Sequence, residues 1–356
     1  MKIKTTKFGY LAAAHEAKVG ERELPEELGP NDVLVHMTGQ NLCTTDYQQW
    51  MGLREHQGYP MAGGHESCGI VAEVGPEVHS VKPGDYVAVG YDTSCGYCEP
   101  CRTGNDYECE NAKPDPALSE DGYWGYFGFG EYAIQGERSL FKMDKSLSSA
   151  EAGFLEPVAT VVSGIKQLRV KPLETVCVVG AGTMGMLNAQ VARAFGARVI
   201  ISEGMPKKLE AARELGFEAI DFTQEDVVAR VKEFTNGRGV DCVILAVLNE
   251  FVLKQAFDLI KANKGRILVF AAGYPAPKLE LDANMIHYRR CEIIGTYCGE
   301  MEDFADAAEL LNSRAIDVRP LCEPRQYSID EIQEAFEAAE TPGMFRVHVK
   351  TGNDVA

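Results

Sequence analysis

The chain has 356 residues, 45% of them hydrophobic and 25% charged, enough to bury sizeable cores and to divide into two domains. Its formal net charge of −18 repels phosphate backbones and anionic lipids, which argues against nucleic-acid and membrane partners. No apolar run approaches the roughly 18–20 residues of a membrane span. The basic start Met1-Lys2-Ile3-Lys4 leads into no signal core, so the expected location is cytoplasmic.

Residues 1 to about 155 are rich in Gly and Pro and carry short β-like runs, Val33–Met37, Gly69–Val74 and Asp85–Val89, the last behind the turn signal Lys82-Pro83-Gly84. They predict an irregular β-rich domain. Three short pieces in it bear chemistry: Cys43-Thr44-Thr45-Asp46, Gly64-His65-Glu66 and Phe154-Leu155-Glu156-Pro157. Singly each is bland, since a lone buried Cys behaves as a small hydrophobe and Glu-Pro is a common helix start.

Between the second and third pieces lies Cys95-x2-Cys98-x2-Cys101-x7-Cys109, a lobe of about residues 93–112. Four thiolates at this spacing suit tetrahedral zinc, and a closed shell of four leaves no position for substrate, so the site is structural. An iron–sulfur cluster or redox thiols are the alternatives, although the last gap exceeds that of a compact ferredoxin run. Eleven cysteines, an odd total with one dense cluster, favour reduced thiols over a disulfide framework.

From about 173 to 298 strands and helices alternate. The runs Thr175–Val179, Arg198–Ser202, Val240–Ala246, Arg266–Phe270 and Glu292–Thr296 read as strands; Lys207–Leu215 and Glu250–Ile260 read as helices. Such alternation implies a parallel sheet covered on both faces. The first strand runs into Gly180-Ala181-Gly182-Thr183-Met184-Gly185, a G-x-G-x-x-G turn ahead of a helix-like stretch. Those glycines allow a tight turn, pyrophosphate against bare backbone, and close helix–strand packing. Glu203 ends the next strand, 23 residues after Gly180, where a carboxylate can accept both ribose hydroxyls and repel a 2′-phosphate. NAD is therefore expected rather than NADP, with Lys207 and Lys208 as the dissenting charges. Two helix-like stretches and a strand at Phe345–Val349 close the chain.

Together, the order and spacing of these pieces make the chain resemble the zinc-containing medium-chain dehydrogenase/reductases over essentially its full length. The Glu-Pro at 156–157 is similar to the polyol (sorbitol-type) and threonine dehydrogenase branches. The resemblance implies an α/β fold: a GroES-like catalytic domain at 1–157, a doubly wound Rossmann domain at 158–298, and a return to the first domain at 299–356. It implies a catalytic zinc held by Cys43, His65, Glu66 and Glu156, besides the structural zinc of Cys95, Cys98, Cys101 and Cys109. Thr45 would hydrogen-bond the substrate oxygen and start a proton relay, and Asp46 would orient His65. Gly180, Gly182, Gly185, Glu203, Lys208, Thr160 and Arg346 would hold the cofactor, with Thr160 near the nicotinamide and Arg346 on the pyrophosphate. Gln48 stands where several relatives have a titrating His, so proton exit would use cofactor hydroxyls, water, Glu156 or His56.

The implied function is hydride transfer between an alcohol, a polyol or hydroxy-substituted small molecule, and NAD. The alternatives are a zinc-free quinone or enoyl reductase of the same superfamily and a non-catalytic zinc- and nucleotide-binding protein. Substrate contacts are expected from Tyr47, Trp50, Arg54, His56, the run Tyr123–Phe127 and Tyr297. A homodimer or homotetramer is expected, with a small-molecule substrate as the remaining partner.

Overall fold

A computed structural model describes residues 1–54, 58–90, 94–112, 114, 116–273 and 276–352. The chain divides into two compact units, Met1–Ala159 with Glu300–Ala356, and Thr160–Gly299. These boundaries fall two residues and one residue beyond those expected from the sequence.

In the first unit, strand Asp32–Asn41 is the hub of a seven-stranded sheet. It pairs antiparallel with Ser67–Val74 along one edge, and with Tyr132–Gly136 and then Arg346–Lys350 along the other. Cys322–Ser328 lies outside Arg346–Lys350, while Tyr86–Val89 and Leu140–Lys142 extend the far side. A hub strand has neighbours on both edges and packing on both faces, which is why Val33, Leu34, Val35 and Met37 are all buried. The register is decisive for the site: His348 faces Asn41 and Lys350 faces Gly39, so the C-terminal segment is threaded beside the strand that leads to Cys43. A second sheet orders Glu16–Glu23, Thr5–Ala13, Met61–Ala62 and Trp124–Gly125.

The other unit is a six-stranded, all-parallel sheet in the order Glu218–Asp221, Arg198–Glu203, Thr175–Val179, Cys242–Leu245, Arg266–Val269, Glu292–Gly295. This is the doubly wound order, with its reversal between Thr175–Val179 and Cys242–Leu245. Every residue of Cys242–Leu245 is buried, as expected of a strand covered on both faces. Glu218–Asp221 was missed in the sequence because it is a half-exposed edge strand with acidic residues at both ends.

Candidate active site

The four cysteines Cys95, Cys98, Cys101 and Cys109 bring their sulfurs together within 4.8 Å of one another. The Cys98–Cys101, Cys98–Cys109 and Cys95–Cys101 sulfur separations are 3.3, 3.9 and 4.0 Å. With Zn–S near 2.3 Å, the edge of a tetrahedron of sulfurs is about 3.8 Å, so the set fits zinc. The lobe also supplies donors to the sulfurs: the Cys95 N–H and Asn111 N–H reach Cys109 Sγ at 3.2 and 3.3 Å, and the Cys98 N–H reaches Cys95 Sγ at 3.4 Å. Against the cost of burial, the N–H groups of Tyr97 and Cys98 and the Asn111 amide draw the Cys95 thiol down to about 6. Burial and the neighbouring sulfurs push Cys101 up to about 12.

The second cluster is built from distant segments. Cys43, at the start of helix Thr44–Trp50, His65 and Glu66 place one donor atom each within 4.8 Å of one another. Asp46 ties the two loops together: its carboxylate accepts the Cys43 N–H at 2.9 Å and the Gly64 N–H at 3.4 Å, and lies 3.7 Å from His65 Nδ1. Burial disfavours a charged His65 ring, yet the charges of Asp46, Cys43 and Glu156 hold its pKa well above the ordinary value. Thiol, imidazole and carboxylate are a donor set that suits zinc. Thr45, on the same helix, accepts a hydrogen bond from Arg54 Nη1 at 3.4 Å.

Glu66 is wholly buried, and both its oxygens are engaged by Arg346, at 2.9 Å from Nε and 2.7 Å from Nη2. Burial pushes the Glu66 carboxyl up to about 7, with Arg346 and His65 pulling the other way. Arg346 is itself 4% exposed, and its Nη2 lies 3.6 Å from Cys43 Sγ. Arg346, expected on the pyrophosphate, directs its Nε and Nη2 to a carboxylate inside the ligand cluster, where a buried carboxylate demands a charged partner. Glu156 does not join the three-residue group, although its charge acts on His65, Glu66 and Arg346.

In the parallel-sheet unit, Gly180 has φ +96°, and a Cβ on Gly185 would sit 2.0 Å from the Gly180 carbonyl oxygen. The protein's own geometry requires both glycines. Gly182 differs: it precedes helix Thr183–Ala194, and a Cβ there would meet only Lys208 Nζ, at 3.7 Å. The open backbone of Gly182, beside a helix N-terminus and an ammonium, is a cradle that suits a phosphate. Glu203 is buried, and its carboxylate accepts the N–H groups of Ala181, Gly204 and Met205 at 2.7, 2.7 and 2.9 Å. A carboxylate offers about four lone-pair sites, so these bonds fix its position and leave room for a ribose hydroxyl.

Comparison with known proteins agrees with this layout. Residues 29–145 match the alcohol dehydrogenase GroES-like domain, and residues 183–313 match the zinc-binding dehydrogenase family. The chain is 30% identical over 333 residues to L-threonine 3-dehydrogenase of Pyrococcus abyssi, covering 91% of this chain and 92% of that protein. The chain belongs to the zinc-dependent alcohol dehydrogenase family. Sorbitol dehydrogenase of Bacillus subtilis is 27% identical, covering 91% of this chain and 90% of that one. A zinc-binding dehydrogenase from Sinorhizobium meliloti, solved bound to NADP, superposes with a TM-score of 0.85 at 28% identity, covering 98% and 100% of the two chains.

As a member of this family the chain is a zinc-dependent oxidoreductase that acts on small-molecule alcohols and binds a nicotinamide cofactor. No helix among the described residues is long and apolar enough to cross a membrane. Not all of the expected substrate residues line a site. Trp50 and Phe127 are core residues, Tyr47 packs against the core around Trp50, and Tyr123 stacks edge-on against Phe8 and Tyr10. Tyr126 does stand near the cluster, edge-on to His65 with ring centroids 6.4 Å apart. Thr160 is half-buried on helix Leu155–Leu168, and His56 lies outside the described residues. Sequence reasoning missed Arg346 as the partner of Glu66, since nothing local at Met344–Val347 points 280 residues back.

Proposed function

We propose that the protein is an NAD-linked, two-zinc dehydrogenase of polyols or other hydroxy-substituted small molecules. The observation that carries the reading is the convergence of Cys43, His65 and Glu66, from two distant loops, with one ligand atom each within 4.8 Å of one another. Cys43 and His65 would hold the catalytic ion, with Glu66 and Glu156 as the carboxylates available to it, and Cys95, Cys98, Cys101 and Cys109 would hold the structural one. Zinc, when bound, supplies a Lewis acid for the substrate oxygen. NAD, when bound, supplies the hydride acceptor.

The chain's own residues do the rest. The Thr45 hydroxyl can donate and accept at once, so it could accept the proton of the substrate hydroxyl while handing its own to a cofactor hydroxyl or water. Asp46 holds the loops of Cys43 and His65 at a fixed separation and orients the imidazole. Gly182, Lys208 and the N-terminus of helix Thr183–Ala194 would take the pyrophosphate, and Glu203 a ribose hydroxyl; Thr160 would approach the nicotinamide. Glu203 supports NAD over NADP, because a fixed carboxylate repels a 2′-phosphate. A homodimer or homotetramer in the cytoplasm completes the proposal, the edge strand Glu292–Gly295 supporting the assembly.

The test is metal analysis followed by a substrate panel. Two zinc ions per chain and NADH production from polyols or hydroxy amino acids are expected. One zinc per chain with no reduction of either nicotinamide cofactor by any alcohol would overturn the reading in favour of a binding protein.

A further inference from the structure

Behind the ligand cluster lies a buried polar chain that its chemistry does not absorb. His348 Nδ1 is 2.7 Å from Asn41 Oδ1, and His348 Nε2 is 2.9 Å from Ser149 Oγ. Asn41 Nδ2 donates to the Ala150 carbonyl at 3.0 Å, which identifies Oδ1 as the atom facing the ring and so makes Nδ1 the donor. A Ser–His–Asn order resembles a nucleophilic triad, but the three residues are 1%, 0% and 0% exposed, so no substrate reaches them. The space is built for the ring: a Cβ on Gly39 would lie 2.3 Å from His348 Cε1 and Nε2.

The chain of contacts touches every segment that delivers the cluster. Asn41 stands two residues before Cys43, and its N–H bonds the Glu66 carbonyl at 3.0 Å. Ser149 opens the short helix Ser149–Ala152, which leads toward Glu156. His348 lies two residues after Arg346 on strand Arg346–Lys350, and alternate strand residues share a face. Next to it, the Leu42 N–H bonds the Val347 carbonyl at 2.9 Å. We propose that His348 is a positioning residue for the metal cluster: through Asn41 and Ser149 it fixes the strand that leads to Cys43 and the strand carrying Arg346 in one register, and thereby the separation of Cys43 from Glu66. The proposal rests on the reading that Cys43 and His65 hold zinc. A mere space-filler would need neither polar partner, and a buried polar group without partners is costly.

The experiment uses the zinc-loaded full-length protein and His348→Leu, which keeps an apolar filler but removes both hydrogen bonds, alongside His348→Gln, which can restore one or both. Zinc release to pyridine-2,6-dicarboxylate is followed with metal content per chain, and the visible spectrum is recorded after cobalt replaces the more labile ion. His348→Leu is expected to weaken the labile ion on the order of 10-fold, the size usual for outer-shell partners of a metal site, and to shift its cobalt bands. The four-cysteine ion should hold unchanged, and His348→Gln should recover most of the loss. A folded His348→Leu protein with wild-type release kinetics and cobalt spectrum overturns the proposal, as does a His348→Gln protein no better than His348→Leu. If His348→Leu does not fold, Ser149→Ala carries the same test, with a wild-type release curve again overturning it. Wild-type protein that binds only the four-cysteine zinc instead removes the catalytic reading itself, which separates the two failures.

Discussion

The two cysteine-bearing sites differ in how much chain it takes to build each. The lobe draws its four sulfurs from Cys95 to Cys109, and its own N–H groups and the Asn111 amide serve them. The other cluster needs Cys43, His65 and Glu66 and is completed by an arginine 303 residues beyond Cys43. A lobe of this kind is held by local spacing. The distributed cluster is held by sheet register, since the strand Asp32–Asn41 must pair correctly on both edges before its ligands meet. Damage to the first should therefore stay local, whereas damage to the second should reach both chemistry and the stability of its unit.

Several substitutions would break or sharpen that contrast. The largest effect is expected from His65→Ala or Cys43→Ala: kcat/KM should fall on the order of 10³-fold, several kcal/mol of transition-state stabilisation, with one zinc per chain remaining by metal analysis. Arg346→Met should come next. It leaves the buried Glu66 carboxylate alone, and breaking a buried pair costs roughly 3–5 kcal/mol, read from the urea midpoint. Adding Glu66→Leu to Arg346→Met should restore most of that loss. Glu203→Ala should reduce kcat/KM with NAD by about 10–100-fold, the worth of one or two hydrogen bonds to a charged group, and narrow the gap to NADP.

A smaller change is expected at the lobe itself. Cys98→Ser should release one zinc and expose the lobe to protease, while kcat/KM stays within roughly tenfold, about 1.4 kcal/mol. The smallest effect concerns pH, in the unit that holds neither cluster. Burial opposes a charged Asp241, yet the Lys261 ammonium and the Thr175 N–H hold its carboxyl below the ordinary value of 3.8. Its folded pKa is thus the lower one, so its stabilisation is whole above the unfolded value and is lost as pH falls through the folded value. Asp241→Asn should flatten that acid limb in urea titrations between about pH 5 and pH 2.

What could be read in the sequence follows the same divide. The strand Thr175–Val179, the turn Gly180–Gly185 and Glu203 are legible because one βαβ unit contains them and their spacing is set by its own length. The four cysteines are legible for the same reason. Cys43, His65 and Glu66 were reachable only through the resemblance to a family, because nothing within either loop states that the loops meet. Arg346 was found but its pairing with Glu66 was not foreseen, and Asn41 and His348 raised no signal at all. Both defects have one cause: their roles depend on the pairing of Arg346–Lys350 with Asp32–Asn41, a long-range register that no local pattern encodes. Trp50 and Phe127 failed in the opposite direction, since an aromatic residue near a motif is as apt to fill a core as to line a pocket.

The return of the C-terminal segment to the first unit also bears on biosynthesis. A nascent chain that has emerged through the parallel-sheet unit already holds Cys43, His65 and Glu66 but lacks the arginine that engages both Glu66 oxygens, because Arg346 is still to be translated. The Arg346–Glu66 pair can close only after residue 346 has left the ribosome. A product terminated before Arg346 would lack the charged partner of a buried carboxylate, and with it the stability of that pair.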